Sequence, residues 1–413
     1  MMKKLRYFPA ILLAVIGMYS CSGPAATPAA KNTTAVTDSS WVVLNLVTLA
    51  VAEPVQLSAP ADSAGRMFIT DHKGRIWILK KDSILPRPFF NIVAKTADKL
   101  PVKGVPNPLN TINSIAFHPQ FARNHKFYVC YNAATRIKGN KTKLVVDEFT
   151  ADDSDPDTTA VKSMRHVFEL EGKMMFTNGT EIAFGPDGYL YISIGDDAFG
   201  DSTYVYHAQD MDYLNGKLLR IDVNKTPYGI PADNPYAAKP HVRPEIWASG
   251  FRKMWRFCFD PKSKQLFGAD VGEKKREEID LITKAGNYGW PAMEGDTVYN
   301  GSTAGTQQSF SAPINTYSHK EGICVIGGCF YYGAGIPFLA DKYVFADFKG
   351  ILFSLSNNGK DQWLRSVLNV RNQPAEPFLV CGLNAGNNKE LYVMGMLNSK
   401  TGPKGVVYKI IKG

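Results

Sequence analysis

The sequence predicts an all-β fold, a six-bladed β-propeller. From Trp41 onward, short segments rich in aromatic and β-branched residues alternate with turns of Gly, Pro, Asn and Asp. A strand, a turn with Asp or Gly and a second strand recur at wide spacing, which indicates repeated antiparallel sheets. Residues 41–413 would supply six blades of about 60 residues each. A series of β-sandwiches is the alternative, and the uninterrupted pattern without linkers argues against it.

The first element is a leader, residues 1–21. Basic residues precede a short apolar run, residues 8–20, which is too short to span a bilayer and fits an export signal. The run ends at Cys21, a pattern typical of a bacterial lipoprotein in which this cysteine becomes the lipidated first residue. An ordinary signal peptide cut elsewhere is the alternative. The sequence therefore predicts an exported protein, periplasmic or at the cell surface, held to the membrane at Cys21.

The next elements are a tether and the propeller itself. Residues 22–40 are small, polar and rich in Ala and Thr, so they predict a flexible tether. Residues 153–170 are interpreted as a loop leading into a strand, and FGPDG, residues 184–188, as a turn between strands. No long stretch shows helical periodicity. The strands are predicted in RMFITDHKGRIWIL, KFYVCYN, YLYISIGD, KLLRIDV, KYVFADFKGILFSL and ELYVMG.

Five cysteines remain after Cys21, and their number is odd. Cys324 and Cys329 are close enough in sequence to bridge a hairpin, and buried free thiols are the alternative. The net charge is +9, but the lysines are spread widely and form no basic stripe interleaved with aromatic residues. A solvated surface therefore explains the charge better than a nucleic-acid site. The other three cysteines are Cys130, Cys258 and Cys381.

Seven long segments resemble the glucose/sorbosone dehydrogenase family and occur in the same order. Together they cover nearly all of the chain from about Val55 onward. The resemblance implies a six-bladed propeller whose active members bind pyrroloquinoline quinone (PQQ) and calcium at the top of the central channel and oxidise aldoses or related aldehydes. The segments are NSIAFHPQFARNHKFYVCY, FGPDGYLYISIGDD, AQDMDYLNGKLLRIDV, IPADNPY, RPEIWASGFRKMWRFCFDP, ADVGEKKREEIDLITKAGNYGWPAMEG and VIGGCFYYG.

The resemblance implies three positions for the quinone. Arg252 would lie beside quinone and substrate and stabilise negative charge on the quinone oxygens, with a structural ion pair as the alternative. Lys349 matches a lysine that contacts the quinone carboxylates, and Lys253 stands where the family usually has asparagine. A later Arg-x-Arg pair is missing, because its place is taken by residues 379–381. A tricarboxylate cofactor would lose two cationic partners there.

The resemblance also implies calcium ligands. Backbone carbonyls of Gly272 and Glu273 would face the quinone-bound ion, while Glu277, Glu278 and Tyr288 would serve a structural ion. Calcium prefers several hard oxygen ligands, and carboxylates beside a bend supply them. A solvated acidic turn that balances the neighbouring lysines is the alternative.

The sequence differs from the family at the position of the general base. Active members carry a histidine before NGG, whereas this chain reads TNGT, so Thr177 takes the place of the histidine and Thr180 that of the second glycine. A threonine hydroxyl cannot serve as a resting base, because its pKa lies far above neutrality. A water held by Asp196 or Asp197 would be one substitute.

Two histidines, His166 and His207, lie nearest to Thr177 in sequence. The function predicted is PQQ- and calcium-dependent oxidation of a sugar or aldehyde, with electrons passed to an external acceptor because no C-x-x-C-H haem motif is present. The alternative, favoured by Thr177, is a propeller without cofactor that binds a glycan or a protein at the same channel mouth. A hydrolase is disfavoured, since no G-x-S-x-G motif occurs.

Overall fold

The structure is a computed structural model in which the strands form a six-bladed β-propeller, as the sequence predicts. The leader, the tether up to residue 39, Thr177 and Thr180 lie outside the described residues. None of the helices in the described ranges is long and apolar enough to cross a membrane. The described residues are 40–62, 64–92, 111–135, 137–138, 142–152, 157, 163–172, 181–197, 205–299, 309–359 and 362–413.

The blades are numbered along the chain, and the strands of each blade are given in chain order. The chain begins with β1 (Trp41–Thr48), which belongs to the last blade. Blade 1 contains β2 (Pro54–Ser58), β3 (Met67–Asp71), β4 (Arg75–Lys80), β5 (Ser83–Ile84) and β6 (Phe90–Asn91), the last also paired with β4. Blade 2 contains β7 (Ile112–Phe117), β8 (Lys126–Ala133), β9 (Thr142–Thr150) and β10 (Ser163–Gly172), with the short helix α1 (Phe121–Asn124) between β7 and β8. Blade 3 contains β11 (Ile182–Phe184), β12 (Leu190–Ile194), β13 (Lys217–Ile221) and β14 (Ile246–Ser249).

The second half of the chain forms three further blades. Blade 4 contains β15 (Met254–Phe259), β16 (Leu266–Asp270), β17 (Arg276–Ile282) and, after the hairpin β18 (Met293–Glu294) and β19 (Thr297–Val298), the outer strand β20 (Asn315–Ser318). Blade 5 contains β21 (Val325–Phe330), a 3-10 turn (Pro337–Leu339), β22 (Tyr343–Asp347), β23 (Leu352–Asn357) and β24 (Trp363–Val367). Blade 6 contains β25 (Asn369–Arg371), β26 (Phe378–Ala385), β27 (Leu391–Ser399) and β28 (Gly402–Lys412).

The two ends of the described chain close the ring in blade 6. Strand β1 pairs antiparallel with β28 and parallel with β25, so the sheet order is β26-β27-β28-β1-β25. The inner strand β2 contacts both β7 and β26, which brings blade 1 against blades 2 and 6. A closed ring of this kind protects the sheet edges, because each blade is covered by its neighbours.

The hydrophobic core lies between the blades. Strands β3, β12 and β22 are buried along their whole length, because both faces of a middle strand pack against neighbouring blades. Aromatic rings contribute to this core: Phe267 of blade 4 stacks on Tyr343 of blade 5 with ring centroids 5.6 Å apart, and within blade 5 Phe345 stacks on Phe353 of the adjacent strand at 5.0 Å. Continuous apolar strands such as YVFAD therefore reflect a position inside a blade.

The strand directions gather the loops of interest at one end of the propeller. Neighbouring strands of a blade run antiparallel, so the start of the first strand, the end of the second and the start of the third lie at the same end of the propeller. We call this end the channel mouth. Arg252 precedes β15, Asp270 ends β16 and residues 271–275 lead into β17, so all of them lie at the mouth. FGPDG joins β11 to β12 at the opposite end, where Gly188 has a φ of 81°.

The five cysteines that follow the tether are free thiols in this structure, and no disulfide links them. Cys324 and Cys329 lie before and within the single strand β21 rather than across a hairpin. Of the two alternatives, the structure shows free thiols.

Candidate functional site

Arg252 lies at the channel mouth with a guanidinium that is nearly buried. Its Nε donates a hydrogen bond of 2.7 Å to Glu273 Oε2, its Nη2 also donates to Glu273, and its Nη1 donates to the Val271 carbonyl at 2.9 Å. Burial disfavours the charge, but Glu273 outweighs that effect and raises the pKa of Arg252 above its ordinary value. The structural ion pair considered for Arg252 is therefore present, and it fixes the guanidinium at the mouth beside the Glu273 carboxylate.

The Asp270 carboxylate fixes the backbone at Arg252 and Lys253. The two carboxylate oxygens of Asp270 accept the N–H groups of Arg252 and Lys253, at 2.7 and 2.5 Å. The Arg252 guanidinium lies 5.7 Å from the centre of the Trp290 ring. Lys253 Nζ lies 5.4 Å from the Trp255 ring, and burial lowers the pKa of Lys253 to about 8. Two cationic side chains therefore project from one rigid turn.

The loop after β16 is shaped by a carboxylate that the sequence did not single out. Glu294, in the hairpin strand β18, places Oε1 against four consecutive backbone N–H groups. The distances from this oxygen to the nitrogens of residues 273, 274, 275 and 276 are 2.9, 2.7, 2.7 and 3.2 Å. The arrangement is a backbone nest for an anion, occupied here by the chain's own carboxylate.

The acids expected to bind a structural calcium ion do not act as one group. Adjacent residues of a strand face opposite sides, and Glu277 and Glu278 are adjacent in β17. Glu277 accepts hydrogen bonds from His319 Nε2 at 2.7 Å and from the backbone N–H of Val325 at 2.8 Å. Both of its oxygens are therefore engaged on the side of blade 5, away from Glu278.

Glu278 shares its face of blade 4 with two other buried carboxylates. Asp270 lies opposite it across the strand pair, and Asp280 follows two residues later on the same face. Burial, and then mutual repulsion, raise the pKa values of Glu278 and Asp280 well above their ordinary range. Both oxygens of Asp280 are buried and lack a hydrogen-bond partner among the described residues. Without a cation beside them, Glu278 and Asp280 therefore favour their protonated, neutral forms.

Tyr288 does not present its hydroxyl to an ion. The hydroxyl donates to the Leu281 carbonyl at 2.7 Å and accepts from the Thr283 N–H at 3.0 Å, while the ring stacks on Phe251. In the part of the chain that the structure describes, no three His, Cys, Asp or Glu side chains are arranged to hold a metal ion. An ion beside Glu278 would therefore need backbone carbonyls as further ligands.

The acids and histidines considered as substitutes for the base have other partners. Asp196 accepts the His207 N–H at 2.7 Å and the Trp290 Nε1–H at 2.8 Å, and burial raises the pKa of Asp196 to about 7. It therefore holds Trp290 beneath Arg252. His166 lies on the outermost strand of blade 2, far from the channel, with Nδ1 2.9 Å from Asp147.

Three further residues, His207, Asp197 and Lys349, lie in loops at the mouth end of the propeller. The His207 ring stacks on Tyr213, with centroids 4.0 Å apart. Asp197 follows Asp196 in a left-handed conformation with a φ of 55°. Lys349 is exposed in the turn between β22 and β23, at the mouth end of blade 5, and forms no ion pair with another described residue.

One histidine that sequence reasoning missed lies at the mouth. His319 precedes β21, is 21% exposed and contacts the buried Glu277. Burial lowers the pKa of His319, but the hydrogen bond and charge of Glu277 outweigh that effect, so the net shift is upward. With Nε2–H donated to Glu277, Nδ1 is the nitrogen left to accept a proton. The two residues are 42 positions apart, so no local motif indicates the pair.

A buried polar network crosses the channel below the mouth. Gln56 of blade 1 donates to Glu181 of blade 3 at 2.6 Å, and Glu181 lies 2.9 Å from Arg256 of blade 4. Arg256 also donates to the carbonyl of Val55 at 2.8 Å and reaches that of Asn113 in blade 2. Side chains from three blades and a backbone carbonyl from a fourth therefore form a floor under the site. A separate cavity of about 850 Å³ lies between β20 and β24, on the outer side of blades 4 and 5.

Comparison with known proteins gives a family and several relatives. A model of the family described as Glucose / Sorbosone dehydrogenase matches residues 51–361. HIPL1 protein of Arabidopsis thaliana is 32% identical over 294 residues, 57% of this chain and 42% of that protein. Hedgehog-interacting protein of Mus musculus is 30% identical over 388 residues, which are 87% of this chain and 51% of that protein. Aldose sugar dehydrogenase YliI of Escherichia coli (strain K12) is 29% identical over 258 residues, which are 57% of this chain and 64% of that protein.

Solved structures share the fold. The soluble aldose sugar dehydrogenase of Escherichia coli in its apo form superposes with a TM-score of 0.69 and 22% identity, over 89% of this chain and 99% of that one. The PQQ-bound aldose sugar dehydrogenase of Streptomyces coelicolor superposes with a TM-score of 0.64 and 18% identity, over 90% and 99%. This chain spans about half the length of the curated relatives HIPL1 and Hedgehog-interacting protein.

Proposed function

The chain belongs to the glucose/sorbosone dehydrogenase family, and from that premise we propose that it oxidises a sugar or an aldehyde at the channel mouth, with PQQ and calcium as cofactors. The observation that carries the proposal is the convergence of Arg252, Lys253 and the loop 271–275 at one end of the propeller. These cationic side chains would lie beside an anionic quinone bound at the mouth, which supports the proposal.

The residues at the mouth fit an anionic quinone. PQQ carries three carboxyl groups, and Arg252, Lys253 and Lys349 offer cationic partners from blades 4 and 5. Residues 379–381, in the place of the missing arginine pair, supply no cation from blade 6. Lys253 stands where the family usually has an asparagine, so it would supply one cationic side chain in partial compensation for the two missing arginines. PQQ supplies the two-electron acceptor when bound, and its affinity here would rest on these three side chains.

The donor atoms of blade 4 fit calcium. Asp280 has two buried oxygens without a partner among the described residues, and Glu278 lies beside it under mutual repulsion. A hard divalent cation would relieve that repulsion, and oxygen donors are the ligands it prefers. Glu278 and the backbone near Tyr288 would hold the structural ion, and the carbonyls of Gly272 and Glu273 the ion beside the quinone.

Two residues of the chain would carry out the remaining steps, which are stabilisation of negative charge and acceptance of the substrate proton. Arg252 would stabilise negative charge as it develops, with its orientation set by Glu273 and its lower face covered by Trp290. His319 would accept the substrate hydroxyl proton at Nδ1, because Glu277 holds Nε2 and favours the charged imidazolium. This pair would replace the histidine that the family carries at the position of Thr177.

The cellular context proposed follows from the leader. An exported protein with a lipid on Cys21 would work at a membrane surface and pass its electrons to a separate external acceptor.

A second function remains under proposal, a propeller that binds a glycan or a protein without catalysis. It is favoured by Thr177 and by the match to a relative named for an interaction, Hedgehog-interacting protein, over 87% of this chain. The same mouth would then serve as the binding surface.

Reconstitution separates the two functions. Metal-stripped protein is titrated with PQQ in the presence and absence of calcium, and dye-linked oxidation is measured on a panel of sugars. We expect the wild type to bind PQQ and oxidise a sugar, Arg252→Gln to lose activity, and Arg371→Gln, a matched change on β25 of blade 6, to retain it. Failure of the wild type to bind PQQ at any calcium concentration would refute the dehydrogenase and leave the binding protein.

A further inference from the structure

We propose that Glu294 is the positioning residue of the channel mouth. Its carboxylate shapes the loop 272–276, and that loop in turn fixes Arg252. The effect on turnover rests on the oxidation proposed above, whereas the effect on the loop does not.

The first step is the contact between Glu294 and the loop. One carboxylate oxygen accepts four consecutive backbone N–H groups, those of residues 273–276, at 2.7–3.2 Å. The Glu294 side chain is itself buried. Without it, the four donors would lose the acceptor that they share, and backbone donors left unsatisfied are costly. The loop conformation therefore depends on this one acceptor.

The second step is the tightness of the loop. A Cβ added at Gly272 would lie 1.7 Å from the carbonyl oxygen of Arg276 and 2.9 Å from Glu294 Oε1. The loop thus folds back on itself at Gly272, and only a residue without a side chain fits there. The nearby Asp296 does not replace Glu294, because it lies 2.9 Å from Arg276 Nε and serves that side chain.

The third step links the loop to Arg252. The two groups that hold the guanidinium are the Val271 carbonyl and the Glu273 carboxylate, one on each side of Gly272. A shift of the loop would move both partners together. Glu294 thus acts on Arg252 through the loop and does not need to touch the reacting atoms.

Hydrogen exchange of the full chain tests the contact directly. The variants are Glu294→Ala, the isosteric Glu294→Gln, and Glu321→Gln as the matched control. Glu321 also accepts a backbone N–H, that of Ser318, in a neighbouring loop. We expect the amides of residues 273–276 to exchange roughly 10- to 100-fold faster in Glu294→Ala. The Gln variant should show a smaller change, because its amide oxygen still accepts, and Glu321→Gln should show none at these amides.

Turnover tests the consequence. In reconstituted protein we expect Glu294→Ala to lower kcat by about 100-fold with little change in the KM for the sugar, and Glu294→Gln to recover much of it. Unchanged exchange at residues 273–276 in Glu294→Ala would overturn the proposal. The proposal would also fail if Glu294→Ala exchanged faster at these amides but kept the kcat of the wild type. It would fail as well if exchange became faster evenly over blade 4 in both Glu294→Ala and Glu294→Gln. If the wild type oxidises no sugar, the oxidation proposal fails, and exchange alone decides the role of Glu294.

Discussion

Glu148 is expected to stabilise the contact between blades 2 and 3, and Glu148→Gln tests this. The carboxylate lies on β9 and accepts from the Tyr128 hydroxyl at 2.5 Å and from Arg165 Nη2 at 2.7 Å, with Lys126 Nζ at 3.1 Å. Arg165 also donates to carbonyls of residues 223, 225 and 227, which follow β13 in blade 3. Glu148 therefore orients the side chain that joins the two blades.

The magnitude follows from the pKa. Burial raises the pKa of Glu148, but Arg165, Tyr128 and Lys126 outweigh it and lower the value from 4.5 to about 2. This lowering of the pKa corresponds to about 3 kcal/mol at most. Arg165 is 25% exposed, so solvent screening reduces the effect, and we expect about 2 kcal/mol. Because the folded pKa is depressed, this stability is fully present above pH 4.5 and is lost as the pH falls towards 2.

Urea unfolding at several pH values measures the effect. At pH 7 we expect Glu148→Gln to lose about 2 kcal/mol of unfolding free energy, and the difference from wild type to shrink below about pH 4. The control is Glu169→Gln on the neighbouring strand β10, whose side chain is 46% exposed and pairs with Lys143. It should change stability by less than about 0.5 kcal/mol. A difference that stays constant from pH 7 to pH 3 would contradict the electrostatic account.

Four further outcomes are expected. Thr177→His with Thr180→Gly should raise sugar oxidation by about 10²-fold in reconstituted protein that also carries His319→Gln, because a histidine at position 177 would replace the lost base, and no rise there would show that position 177 does not reach the substrate. His319→Gln should lower kcat by about 100-fold without weakening PQQ binding, and an unchanged kcat would remove His319 from the mechanism. Calcium should raise the Tm of metal-stripped protein but not of Glu278→Gln, and an equal response in both would place the ion elsewhere. Cys21→Ala should move the protein out of membrane fractions, and its retention there would indicate another anchor.

Much of the fold follows from the sequence, because a propeller repeats one local unit. RMFITDHKGRIWIL contains β3, a tight turn and β4, and KYVFADFKGILFSL contains β22 and β23. The alternation of hydrophobic segments with turn residues is a local signal, and the blade count follows from length. The stretch interpreted as a loop leading into a strand does contain one, β10.

The site was less predictable, because its contacts join distant parts of the chain. The opposite orientations of Glu277 and Glu278 were within reach of the sequence, since adjacent strand residues face opposite ways. The partners of Glu294 are about 20 positions away and those of His319 are 42 positions away, in loops whose meeting depends on blade packing. Nothing in AMEG or YSHKEG marks either residue chemically.

The floor formed by Gln56, Glu181 and Arg256 has a kinetic consequence. These buried side chains meet across the channel below the mouth, so the mouth is the opening through which we propose that sugar and acceptor reach the site. Sugar and electron acceptor would have to use that opening in turn, and product would have to leave before the acceptor could approach. Steady-state rates should then give parallel double-reciprocal lines, with each substrate inhibiting at high concentration by occupying the form of the protein meant for the other.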